Sequence, residues 1–511
     1  MNGRSAAALG ACAGGMAVAA MLALRLAAGV TSLIEVIGSG LALLLPGPVF
    51  GTMIDALQER GRPLLLLGTA ALLIAIGAGL GLVVARWTRS ELPLGPAAMQ
   101  SRAGDWWWRW LLPALSLWVL TQPLLLVAEG GYDTSAAVST LADWLLLCGL
   151  VEILVGLPRL SGNTPGTRGS STFSTMSRRR FMAVSGGALG AVSLGYLGSR
   201  VLAAQAPPAL LGRGAAVAGG VIPAGVTPIS DFYIVSKDLL GPPRLDPSTW
   251  RLELSGNQSS SVSYPQLLAM PHLEQVQTLE CISNPVGGTL ISTGVWRGVQ
   301  LSRLLEAVGL PRNAKEVVFH CADGYSESLA VEEAMLPSTL LATHLNGRAL
   351  PAQHGFPVRI LVTGHYGMKD PKWLTGISTT AGSFSGYWEQ QGWNAAAVPH
   401  IFSRFDFPAG SASLRAGRAY LLSGVAFAGN LGVQRVEVSA DGGAHWVPAR
   451  IQPQLSRFAW SVWSLPWRPG PGLYTLTVRA EDRQGRVQSA RSVGSYPNGA
   501  RGRQEIVVSV A

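Results

Sequence analysis

Apolar runs fill the first 160 residues, and beyond residue 227 the hydrophobic positions fall into the shorter periods of helices and strands in a soluble domain. The run 63–85 carries no charge and is long enough to cross the roughly 30 Å hydrocarbon core of a bilayer as a helix. Similar runs at 5–29, 110–129 and 137–157 predict further spans, and a run at 31–56 is broken by Pro and Gly, which leaves spanning and re-entrant forms both open. Helical spacing at 300–310 and 331–341, with short buried-strand runs at 317–320 and 358–362, predicts a mixed α+β domain. From about residue 407 the pattern turns to strand periodicity with Gly and Pro turns, Asp441-Gly442-Gly443 among them. Short strands at this spacing predict an immunoglobulin-like β-sandwich of about a hundred residues.

Charge orients the apolar region. The loop 86–109 carries Arg86, Arg89, Arg102 and Arg109, and 159–180 carries further arginines, whereas 129–134 carries Glu129 and Asp133 with no Lys or Arg. Positive loops stay cytoplasmic, so 86–109 and 159–180 belong there, although Arg60 and Arg62 run against this in the first hairpin. Trp106, Trp107, Trp108 and Trp110 read as an interfacial belt. A chain that is 48% hydrophobic and 13% charged is too apolar to be wholly soluble. Its net charge of +10 is therefore read as membrane flanks and not as a nucleic-acid surface. Glu35, Asp143 and Glu152 fall within or beside the spans, where carboxylates suggest a functional site. Every histidine lies beyond residue 200, so no haem is expected in the membrane region.

A Ser/Thr/Gly linker at 161–176 leads to Ser177-Arg178-Arg179-Arg180-Phe181-Met182 and a mildly apolar stretch from Ala183 to Ala204. This resembles a twin-arginine export signal set inside the chain, to be read by the twin-arginine translocase, and the alternative is a positive flank on an ordinary last helix. Ala204-Gln205-Ala206 looks like a cleavage site, but Pro207 follows, which favours retention as an anchor. The predicted organisation is multidomain: a multi-span transmembrane α-helical region at 1–160, linker and last transmembrane helix at 161–205, and a tether at 206–226. The α+β domain then occupies 227–406 and the sandwich 407–511, both outside the cytoplasm.

The candidate chemistry centres on 278–301, where Cys281 ends an apolar run and a small-residue loop follows. A thiolate is a soft ligand suited to a transition metal, and a loop rich in Gly and Ser admits a bulky cofactor. The cysteines at 12, 148, 281 and 321 do not form a disulfide framework, because two lie in apolar spans. Downstream, 344–376 holds His354-Gly-Phe-Pro-Val-Arg359 and Tyr366-Gly-Met-Lys369-Asp-Pro-Lys372-Trp373. The pair Thr278-Leu-Glu-Cys-Ile-Ser-Asn and HGFPVR…YGMKDPKW, in this order, resembles the sulfite oxidase family of molybdopterin enzymes over about residues 226 to 511.

The resemblance implies an α+β molybdopterin domain followed by a dimerisation domain, and a molybdenum–molybdopterin cofactor whose metal is held by Cys281. It implies pterin and phosphate contacts from His354, Arg359, Lys369 and Lys372. Further contacts would come from Ser230 and Tyr233 in the opening segment and from Cys321 at a strand end. Lys237 falls near the position of an anion-binding arginine in sulfite-oxidising relatives, though a shift of two residues would place Val235 there. Trp393 takes the place of their active-site tyrosine, and Ile282-Ser-Asn-Pro replaces their tandem arginines, which argues against sulfite as the substrate. The implied activity is oxygen-atom transfer to or from a small substrate, with electrons exchanged with a separate carrier such as a cytochrome or a quinone-linked protein. The alternatives are a reductase of methionine sulfoxide or other S- or N-oxides and a non-enzymatic membrane sensor that keeps the fold. A homodimer is left open.

Overall fold

The computed structural model describes residues 3–28, 31–46, 61–90, 108–129, 134–151, 215–237 and 241–511, with a few single positions between them. It divides into a helical unit and a β-rich unit. Glu152, Trp106, Trp107, the arginine motif at 178–180 and the cleavage-like segment at 204–206 lie outside the described residues.

In the helical unit the apolar runs become Gly3–Ala28, Leu33–Leu43, Gly61–Ser90, Trp108–Glu129 and Thr134–Val151. The stretches Gly3–Arg25 and Pro63–Arg86 are long and apolar enough to cross a membrane. Their helices touch through glycines: a Cβ on Gly10 would lie 2.2 Å from the Gly77 carbonyl oxygen, and one on Gly81 would lie 2.5 Å from that of Ala6. Small residues at such a contact let two backbones approach without a hydrophobic driving force. The broken run at 31–56 is helical to Leu43 and leaves the helix ahead of Pro46. Its start explains two of the buried acids. Ser32 and Glu35 form a capping box, Glu35 pairs with Arg25 at 2.7 Å, and Asp143 accepts the Leu33 amide at 2.8 Å. These carboxylates satisfy a helix terminus whose orphan amides would otherwise be costly in an apolar setting.

Among the described residues the β-rich unit contains four sheets. One has the order Arg348–Ala349, Leu340–Leu345, Ile291–Gln300, Leu273–Glu280, with Arg359–Leu361 also on Leu340–Leu345. A second has the order Ser259–Ser263, Arg251–Ser255, Leu374–Thr380, Glu316–Cys321, Ser326–Ala330. Leu301–Val308 is helical as its spacing requires, burying Leu301, Leu304, Leu305 and Val308. The expected helix over 331–341 is a single turn, Val331–Ala334, and Leu340–Leu345 beyond it is a strand.

The C-terminal part is two sheets facing a common core of Leu422, Val436, Trp463, Leu476, Val478 and Val508. Ala215–Val217 and Gly220–Ile222, within the stretch expected as a tether, form a hairpin that joins the sheet of Tyr420–Phe427. The hairpin gains backbone partners there that a free linker would lack.

Candidate active site

The strands Leu273–Glu280 and Ile291–Gln300 pair antiparallel with Glu280 opposite Ile291, so 281–290 is the loop of a wide hairpin and Cys281 is its first residue. The Cys281 amide donates to the Leu290 carbonyl at 2.9 Å, and Sγ lies 3.0 Å from Ser283 Oγ. Asn284 braces the loop: its Nδ2 donates to Glu280 Oε1 at 2.9 Å and its Oδ1 accepts from the Leu290 amide at 3.0 Å. Burial pushes the Cys281 thiol up, partly offset by hydrogen bonding to Ser283. A bound metal cation would favour the thiolate and reverse that shift.

Ile282 packs with Tyr366, Met368, Trp393 and Ala397, so Trp393 adjoins the residue after the cysteine. Trp393 is 4% exposed, and its indole Nε1 is buried without a partner among the described residues. Tyr233 donates its amide to Ser292 Oγ at 3.1 Å, and its hydroxyl lies against Gly367, where a Cβ would sit 2.7 Å away. Burial first, then the nearness of Cys281, keeps this phenol protonated, with Arg359 acting in the opposite direction.

A cationic group gathers around Gly355, whose φ of 108° is in the left-handed region. A Cβ there would lie 3.0 Å from Arg359 Cβ and 3.1 Å from Lys372 Cβ, so glycine lets the chain turn between the two cations. Arg359 donates to the carbonyls of His354 (3.3 Å) and Asp370 (2.9 Å), with its guanidinium 5.3 Å from the Trp296 ring. Lys372 Nζ donates to the carbonyls of Val235 (3.0 Å) and Gln353 (3.2 Å) and lies 4.2 Å from the Trp373 ring. His354 is buried, and its Nε2 has no hydrogen-bond partner among the described residues. Burial and the charges of Arg359 and Lys372 hold its pKa down to about 4, so the ring is neutral. Cys321 is buried at the end of Glu316–Cys321; burial holds its thiol protonated, while Lys237 and Lys372 act the other way. Lys237 Nζ lies 5.7 Å from the Tyr387 ring.

Arg359 thus shares an electrostatic neighbourhood with Tyr233 and with Cys321, and Tyr233 shares one with Cys281. Ser230 is exposed and donates to Asp231 at 3.0 Å. Lys369 is buried between two carboxylates, 2.8 Å from Glu327 and 2.5 Å from Glu389. Neither acid is marked by any sequence pattern, because each reaches Lys369 from a distant loop or strand.

The donor set fits an organic cofactor carrying a metal. Cys281 offers a soft ligand, Arg359 and Lys372 offer charge suited to a phosphate, and His354 Nε2 is a buried acceptor that no described residue satisfies.

Residues 239–388 match the oxidoreductase molybdopterin-binding domain, and 408–496 match the Mo-co oxidoreductase dimerisation domain. Rat mitochondrial sulfite oxidase is 29% identical over 289 residues, 47% of this chain and 52% of that protein. Arabidopsis thaliana sulfite oxidase is 28% identical over 276 residues, 44% of this chain and 70% of that protein. A protein of Azospira oryzae, provisionally named a protein-methionine-sulfoxide reductase subunit, is 36% identical over 152 residues, 29% of this chain and 56% of that protein. The chain spans about half the length of the first of these curated relatives. The crystal structure of the sulfane dehydrogenase SoxCD from Paracoccus pantotrophus shares the fold, with a TM-score of 0.51, 23% identity, and coverage of 60% of this chain and 85% of that one. Both domain types are matched in order along the β-rich unit, so this part of the chain has the organisation of a sulfite-oxidase-like molybdopterin oxidoreductase.

Proposed function

We propose that the protein is a membrane-anchored molybdenum–molybdopterin oxidoreductase that moves an oxygen atom to or from a small substrate. In the reductive direction two electrons and two protons convert an oxide to its parent and water. The observation that carries this reading is the Cys281 thiol at the mouth of a strand-end loop, in one domain with the Arg359 and Lys372 cations that meet at Gly355 and the buried, unsatisfied His354 Nε2. Cys281 holds the metal. His354, Arg359, Lys372, Cys321 and Tyr233 hold the organic part, while Ser230 and Lys369 flank it. When bound, the cofactor supplies the two-electron oxygen-atom chemistry. Around it the neutral Tyr233 and His354 act as hydrogen-bonding groups, and Trp393 with Lys237 limits what can approach.

The substrate we favour is a neutral or bulky S- or N-oxide in preference to sulfite. A small dianion in a partly desolvated pocket needs paired cations, and an unpaired buried charge costs several kcal/mol. Lys369 is neutralised by Glu327 and Glu389, and Trp393 presents no hydroxyl. The Azospira oryzae relative supports methionine sulfoxide as the first oxide to try. The helices Gly3–Ala28 and Gly61–Ser90 support anchoring, and the arginine motif at 178–180 supports export of the enzyme domain to the extracytoplasmic side. A separate electron carrier completes the cycle. The C-terminal pair of sheets is read as an immunoglobulin-like dimerisation module.

Steady-state kinetics with sulfite, methionine sulfoxide and other S- and N-oxides test the reading. We expect kcat/KM for sulfite to fall at least tenfold below that for the best oxide, since one missing charge-assisted hydrogen bond is worth about 1.5–3 kcal/mol. A sulfite value of about 10⁶ M⁻¹s⁻¹ or above would show that the pocket suits the dianion after all.

A further inference from the structure

The C-terminal sheets do more than face each other, because they grip the cysteine hairpin along its whole course. On the strand before Cys281, the Thr278 amide donates to the Phe458 carbonyl at 3.0 Å, the Trp460 amide donates to Thr278 Oγ1 at 2.8 Å, and Ser456 Oγ donates to the Val276 carbonyl at 2.5 Å. On the strand after it, Ile291 is buried among Phe402, Val425, Phe427, Trp460 and Val462. Between the strands the Gln504 side chain covers Gly287, where a Cβ would sit 2.5 Å from it.

One charged group reaches the loop itself. Arg404, on the strand Phe402–Phe407, is 7% exposed and donates from Nη1 to the Gly288 carbonyl at 2.9 Å. Its Nε donates to Asp406 Oδ1 at 3.1 Å, and Asp406 is 5% exposed. The guanidinium fork is therefore fixed at one end by a buried carboxylate and spans to the loop with the other. A planar fork with two anchored donors is stiffer than an ammonium on a flexible stem. Gly288 closes the turn that begins at Pro285, its amide donating to the Pro285 carbonyl at 2.9 Å, and Leu290 returns to the Cys281 amide. A shift at Gly288 therefore passes directly to the cysteine.

We infer that Arg404, anchored by Asp406, is a positioning residue of the C-terminal domain that holds the 281–290 loop and so fixes where the Cys281 sulfur stands. The inference rests on Cys281 being the metal ligand, but the clamp itself exists without the cofactor and can be read there. Hydrogen–deuterium exchange of the full chain in detergent, in cofactor-free form, measures it for wild type, Arg404→Lys and the double variant Arg404→Gln/Asp406→Asn. The double variant removes both charges of the pair together, so Asp406 is not left as an uncompensated buried carboxylate.

We expect peptides covering 282–290 to exchange roughly tenfold or more faster in the double variant, the scale of one lost charge-assisted hydrogen bond, with peptides over 472–482 unchanged. Arg404→Lys keeps the charge beside Asp406 but lacks the fork, so it should speed the loop while leaving the melting temperature near that of wild type. Wild-type protection of 282–290 in both variants would overturn the inference. If the double variant loses protection everywhere, Arg404→Lys decides: a fast loop in a folded chain supports the clamp, and a slow one refutes it. Molybdenum content, measured separately, reports on the proposed activity and not on this clamp.

Discussion

Replacing Lys369 by Met keeps most of the side-chain volume and removes the ammonium that sits 2.8 Å from Glu327 and 2.5 Å from Glu389. Both acids are buried, with side-chain exposures of 0% and 6%. Deleting one partner of such a cluster leaves uncompensated charge inside the protein and costs about 3–5 kcal/mol. For a domain of this size each kcal/mol moves the melting temperature by about 2–4 °C, so the variant should melt roughly 6–20 °C lower near pH 8. The loss should depend on pH. In the wild type, burial pushes Glu327 up to about 7 despite the lowering effect of Lys369. A carboxyl raised in the folded state contributes stability that is fully present below its unfolded pKa and is lost as pH rises through the folded value. Without Lys369 the folded pKa rises further, so the variant should approach wild type toward pH 5 and fall furthest behind above pH 8. Thermal unfolding followed by tryptophan fluorescence from pH 5 to 9 tests this, with Lys369→Met/Glu327→Gln/Glu389→Gln, which removes all three charges, as the variant that should recover most of the loss. A melting temperature within about 2 °C of wild type at pH 8, together with lost cofactor, would refute the clamp and make Lys369 a cofactor contact, as the sequence resemblance implied.

Trp393→Phe should cost little stability, because the indole Nε1 it removes has no partner, whereas Trp393→Ala should cost about 3–5 kcal/mol by opening a cavity beside Ile282; melting temperatures of the two variants separate these outcomes. Arg178→Lys with Arg179→Lys preserves charge but removes the export motif, so protease added outside intact cells should fail to cut the enzyme domain. Unchanged cleavage would make the arginines a simple positive flank. The purified chain should show no b-type absorbance bands, since all of its histidines lie beyond residue 200.

The parts of this molecule that are legible in the sequence are those set by local pattern. Cys281 after an apolar run reads as a strand end, and the structure places it there, at the start of the hairpin loop. Asp441-Gly442-Gly443 reads as a turn and lies between Val433–Ser439 and Val447–Pro448, which pair. What stayed hidden depends on residues far apart in the chain. Asp143 caps Leu33 from another helix, Glu327 reaches Lys369 from a neighbouring sheet, and Arg404 reaches Gly288 from the C-terminal domain. The hairpin at 215–222 was hidden for a related reason, because its Ala- and Gly-rich strands have little intrinsic preference and are held by the edge they join. The expected helix at 331–341 stops after one turn because Pro337 cannot continue it, and Leu340 and Leu341 beyond the turn pair with Ile291–Gln300 as a strand.

The proposed chemistry stands on Cys281 as the molybdenum ligand. Its most direct test is metal analysis of the purified full-length chain, with turnover measured alongside for wild type and Cys281→Ser. We expect one molybdenum per wild-type chain, and a serine variant that keeps its fold but loses turnover, because a hard oxygen replaces the soft sulfur ligand. Wild-type protein without molybdenum when produced in cells that make the cofactor, or a serine variant that turns over like wild type with metal bound, would contradict it.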